Sequence, residues 1–198
     1  MNQARIGSFS DGVIAIIITI MVLEMRAPAD AATLRDLLPV LPSFLSYVLS
    51  FLYLGIYWNN HHHLLATSCR VDAGLMWANL HLLFWLSLVP FATAWMGRNH
   101  FEPQPTAVYG VVLTMAAVAY WVLQSSILHR HGRESPLADA LGRDLKGKGS
   151  IVAYLVAVPL ALSHPEVAWA VYAGVALLWL VPDRRLERAI EVMSSDDD

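Results

Sequence analysis

One cysteine, Cys69, in 198 residues excludes an internal disulfide and a thiolate metal cluster. Charge is scarce as well: Asp, Glu, Lys and Arg make up 15% of the chain, against about 25% in an average soluble domain. No nucleophile elbow, phosphate-binding glycine loop, dinucleotide fingerprint or zinc-peptidase helix is present, so the common catalytic scaffolds find no support. A Thr-Val-Gly-Tyr-Gly loop is missing too, which excludes an ion filter built from a backbone carbonyl cage of that kind. No internal repeat is visible, and nothing points to nucleic acid. The N-terminus lacks the basic leader of a secretory signal, and Ser10-Asp11 interrupt the place of its apolar region.

What remains is apolar. Hydrophobic residues make 57% of the chain, and the mean hydropathy is +0.50. That describes an all-α integral membrane protein of one domain. Hydropathy marks six spans: about Gly7 to Met25, Leu37 to Asn60, Ala73 to Gly97, Pro105 to Leu128, and a block broken at Ser163-His164-Pro165 into 149–163 and 166–182. Pro159 removes a backbone donor inside the fifth span and is expected to kink it. Six spans put both termini on one side. Arg5, Arg70, Arg130, Arg133, Arg143, Lys146, Lys148, Arg184, Arg185 and Arg188 fall there, against Arg26, Arg35 and Arg98 opposite, so the terminal side is cytoplasmic. Ser135-Pro136 followed by Leu137, Leu141 and Leu145 suggests a short interfacial helix, and residues 190–198 are expected to be disordered.

The first span carries the most information. At about 100° per residue, Gly12, Ile16, Thr19, Ile20 and Leu23 share one stripe, whereas Ser10 and Asp11 point well away from it. On pattern alone, ordinary helix packing is the better reading of such a stripe, and Ser10-Asp11 also read as an N-cap. Against the cap, residues 5–8 hold no helix breaker. The helix can start earlier and carry Asp11 into the membrane, where an ionisable group marks a candidate functional site.

Tyr57-Trp58-Asn59-Asn60-His61-His62-His63 ends the second span at the face where the first begins, and Asn79 of the third lies at similar depth. A buried carboxylate needs partners. The expected network is therefore Arg5, Ser10, Asp11, Asn60, His61, His62 and Asn79. Three consecutive histidines diverge around a helix and do not converge on one ion, and His81 lies too near the same face to bracket a haem with them. Structural or proton-responsive histidines fit better.

Arg5-x-x-x-Phe9-Ser10-Asp11, continued by Gly12 to Ile16 and Thr19, resembles the first helix of bacterial relatives of the lysosomal potassium channel, the transmembrane protein 175 family. Tyr57-Trp58-x-Asn60-His61-His62 resembles the end of that family's second helix, and Asn79 with Pro90-Phe91 resembles its third. The motifs cover about the first half of the chain. The resemblance implies a six-helix subunit in a homotetramer, with four first helices around a pore. It implies a weakly selective, potassium-permeable leak channel with an apolar constriction. By position, Ile16 matches the main constriction, and Thr19 and Leu23 match the next layers; Ile20 shares their stripe. Arg5, Ser10, Asp11, Trp58, His61, His62 and Asn79 match the network anchoring the pore helix, with Phe9 in the same motif. The expectation is a multi-pass channel of the cell membrane, not an enzyme, with no cofactor and potassium as permeant ion. A proton-coupled transporter using Asp11 and the histidines, or a redox or metal protein using His61, His62 and His81, are the alternatives.

Overall fold

The computed structural model describes residues 3–29, 31–67, 71–131 and 144–180, and all regular structure among them is helical. Its helices are α1 (Gln3–Leu23), α2 (Leu41–Ala66), α3 (Ala73–Ser87), α4 (Val89–Arg98), α5 (Pro103–His131), α6 (Leu145–Ala161) and α7 (Pro165–Leu180). A 3-10 segment, Leu34–Val40, leads into α2; Thr33 and Asp36 hold its start, the Asp36 carboxylate accepting the Thr33 N–H at 2.8 Å. The interfacial helix expected from Ser135 onward and the tail lie outside the described residues, except that Leu145 opens α6, where Asp144 caps the Gly147 N–H at 2.7 Å.

One feature differs from the sequence expectation. The third span is two helices laid end to end, because Pro90 lacks the N–H that would continue α3 and the ladder is interrupted at Leu88. Pro159 lies inside α6, as read from the sequence, in its last turn and two residues before the helix ends. The break at Ser163-His164-Pro165 is present as the turn between α6 and α7. With α3 and α4 counted as one broken rod, the described residues form six rods. Four stretches are long and apolar enough to cross a membrane: Gln3–Leu23, Leu34–Ala66, Ala73–Arg98 and Pro103–His129; α7 is a shorter apolar helix.

The rods pack asymmetrically. α1 rests on α2, α3 and α4 at one flank, while α5 runs along α3, α4, α6 and α7 at the other. Ile14, Leu54, Leu82, Leu86, Met96, Leu113 and Leu123 fill the interior between them. Within it, the Ser50 hydroxyl meets Thr93 Oγ1 at 2.6 Å and the Tyr109 hydroxyl at 3.0 Å, and Tyr53 donates to the Tyr172 carbonyl at 2.6 Å. These bonds tie α2 to α4, α5 and α7 in a medium where no water can satisfy a stray hydroxyl. The sequence signal was the polar series Ser46, Ser50, Tyr53 at helical spacing on α2, which the reading of spans passed over.

Close approach also depends on glycine. A Cβ on Gly110 of α5 would stand 2.0 Å from the Tyr172 hydroxyl and 2.7 Å from its Cζ, and Tyr172 is fully buried. Gly110→Ala should therefore lower the thermal stability of the detergent-solubilised protein by about 1–3 kcal/mol through overpacking. Gly174→Ala, with nothing within 4 Å of the new Cβ, should not. Equal melting temperatures for the two variants would show that the α5 to α7 contact is looser than described.

Candidate functional site on the first helix

α1 is already helical at Gln3, so Ser10 and Asp11 are interior residues of the helix and not its cap. Gln3 Nε2 donates to the Leu65 carbonyl, tying the start of α1 to the last turn of α2. Further along, Ile6, Ser10, Ile14, Ile17 and Met21 recur at i+3 and i+4 and form the buried face.

Ser10 is the polar member of that face and is fully buried. Its hydroxyl accepts from Asn79 Nδ2 at 2.9 Å, and Asn79 Oδ1 meets His61 Nε2 at 2.7 Å. An amide oxygen only accepts, so in this arrangement the His61 ring carries its proton on Nε2. Asn79 on α3 thus uses both ends of its amide to hold α1 and α2. Asp11, half-buried, accepts from Trp58 Nε1 at 2.9 Å, a second tie to α2, and the Trp58 ring lies 6.3 Å from that of His62.

The other expected members lie elsewhere. Arg5 and Phe9 are exposed on the opening turns of α1. Asn60 turns to another face of α2, donating to the Ile56 carbonyl at 2.8 Å, while its own carbonyl accepts from the Tyr120 hydroxyl at 3.3 Å. It lines a small cavity of about 40 Å³ with Tyr57, Tyr120, Asp144 and Tyr154. His81 is exposed and accepts from Trp85 Nε1 at 3.0 Å. Among the described residues, no three His, Cys, Asp or Glu side chains are grouped so as to hold a metal ion.

The opposite face of α1 is exposed among the described residues. Ile16 is 59% exposed, Ile20 44% and Leu23 74%, and Thr19 and Gly12 are exposed with them. The Thr19 hydroxyl donates to the Ile16 carbonyl at 2.9 Å, so its remaining capacity is that of an acceptor. Beside the stripe, Ile16 and Ile20 border a groove of about 800 Å³ whose far wall includes Pro90, Phe91 and Trp95, where α3 gives way to α4. Past the end of α1, the Glu24 carboxylate pairs with Arg98, the last residue of α4. Sequence reasoning missed this pair, although opposite charges at two span ends on the same side were a readable signal.

A long apolar helix anchored by polar bonds on one side and bare on the other, within an all-helical bundle, defines an integral membrane protein. The family profile described as "Endosomal/lysosomal potassium channel TMEM175" matches residues 5–90. A Chryseobacterium protein named as a potassium channel is 47% identical over 191 residues, covering 96% of this chain and 99% of that protein. A chicken protein named endosomal/lysosomal proton channel TMEM175 is 24% identical over 162 residues, covering 73% of this chain and 32% of its own length. Among solved structures, a lysosomal potassium-selective channel TMEM175 homolog from Chamaesiphon minutus superposes with a TM-score of 0.79 at 27% identity, covering 91% of this chain and 97% of that one. The chain belongs to the TMEM175 family, a family of ion channels and not of enzymes.

If the Asn79 amide holds α1, its removal should cost more than neutralising the carboxylate of the outer tie. Asn79→Ala leaves Ser10 and His61 without their partner, at about 1–3 kcal/mol for each buried group. Asp11→Asn keeps an acceptor for Trp58 and should be mild. Thermal unfolding in detergent orders the two variants, and a smaller loss for Asn79→Ala than for Asp11→Asn would refute the ranking.

Proposed function

We propose that the chain forms a homotetrameric, potassium-permeable and weakly selective leak channel of the cell membrane, with both termini cytoplasmic and four copies of α1 around the pore. The observation that carries this reading is the exposed stripe on α1, opposite the face anchored by Ser10. One subunit cannot enclose a path with a single stripe, whereas a closed ring of copies can. The groove beside Ile16 and Ile20 offers room for part of a neighbouring subunit. The potassium-channel names of two relatives, from Chryseobacterium and Chamaesiphon, support potassium as the permeant ion.

In such a tetramer Ile16 forms the tightest ring, with Thr19, Ile20 and Leu23 layered outward. Isoleucine side chains replace none of an ion's hydration. A narrow ring therefore dewets, and a wider one penalises sodium, which holds its water more strongly than potassium. Thr19, its proton committed to Ile16, offers an oxygen lone pair and no donor, which suits a cation.

The test is potassium flux from liposomes containing purified protein whose crosslinked species stop at four subunits, measured with and without a protonophore. Ile16→Asn gives the ring hydrogen-bonding groups; potassium flux should rise and discrimination against sodium should fall. Ile18, about 200° around the helix and packed against the core, is the control: Ile18→Asn should disturb packing without opening the pore. Equal effects at the two positions would mean that the pore follows another face. Flux that saturates with a co-substrate or requires a proton gradient would favour the transporter reading.

A further inference from the structure

Glu24 directly follows Leu23, the last residue of α1 and of its stripe. Arg98 Nη2 donates both to the Glu24 carboxylate and, at 3.2 Å, to the Glu24 carbonyl. The guanidinium so caps the negative end of α1 while neutralising the side chain beside it. The two side chains remain 43% and 54% exposed, and both border the same groove as Ile16 and Ile20. Arg26 joins them in a second, more polar recess of about 540 Å³ that reaches Ser43 of α2. Exposed pairs of this kind add little to stability, which leaves the local charge balance as their main consequence.

We propose that the Glu24–Arg98 pair sets the electrostatic potential at the outer mouth of the pore and thereby limits cation conductance. The proposal rests on the pore following the α1 stripe. In a tetramer the carboxylate occurs four times around the axis, one residue beyond Leu23. Uncompensated, four carboxylates would concentrate cations at the mouth, because a ring of like charge over low-dielectric walls focuses the field. Arg98 cancels each of them. Arg26, exposed two residues further on, adds positive charge and acts in the same direction.

The experiment is single-channel potassium conductance as a function of salt. At about 10 mM, where the Debye length is about 30 Å, Arg98→Gln should raise conductance at least about twofold and Glu24→Gln should lower it. At about 1 M, where screening acts within about 3 Å, both differences should vanish. Wild-type conductance should fall at least in proportion to potassium concentration, with no plateau at low salt, since its mouth carries no excess negative charge. That measurement needs no variant to assemble. A plateau in the wild type, or changes in the variants that persist at 1 M, would overturn the proposal. Should Ile16→Asn raise flux while the charge variants show no salt-dependent change, this inference fails and the pore assignment stands; should Ile16→Asn leave flux unaltered, the pore assignment fails first.

Discussion

The Asn79 side chain is the constraint on which the rest depends. Apolar side chains gain little by leaving lipid for protein, so the isoleucines of α1 do not by themselves decide which of them turn inward. A hydroxyl and an amide do, because neither finds a partner among acyl chains. Asn79 donates to Ser10 and accepts from His61, fixing the rotation of α1 against α2 and α3 with one amide. Once Ser10 faces the bundle, the 3.6-residue period leaves Thr19 about 180° away and the stripe of Ile16 and Leu23 outward. The free face is thus set by the bonded one.

The same reasoning explains why the polar groups gather at one end of α1. Ser10, Asp11, Trp58, His61 and Asn79 lie where the start of α1, the end of α2 and the opening turns of α3 converge. Just past the far end of α1, Glu24 pairs with Arg98 of α4. Between these two levels the contacts of α1 are apolar, through Ile14, Ile17 and Met21. An arrangement fixed by buried polar bonds near its start and apolar beyond them holds a helix in register while leaving its outer face chemically plain.

Much of the fold was legible because membrane helices announce themselves by length and hydropathy, and because Ser163-His164-Pro165 could only be a turn. The broken third rod was harder, since the sequence around Pro90 stays apolar on both sides and only the missing N–H marks the interruption. For the site, spacing could place depth but not contact. Asn60 sits one residue from His61, about 100° around α2, and that rotation sends it toward Tyr120 on α5 instead of toward α1. Arg5 shares a motif with Ser10 yet lies on an exposed turn. The Ser50, Thr93 and Tyr109 contacts joined residues from three helices whose neighbour relations no local pattern reveals.

In the proposed channel the face of α1 opposite Ser10 lines a water-accessible path. Single cysteines placed along α1 in a Cys69→Ser background, reconstituted in liposomes and treated with a small charged thiol reagent, test it most directly. Modification at Ile16, Thr19, Ile20 and Leu23 should block potassium flux while Ile14, Ile17 and Met21 stay unreactive. Block at the second set with the first set unreactive would contradict it.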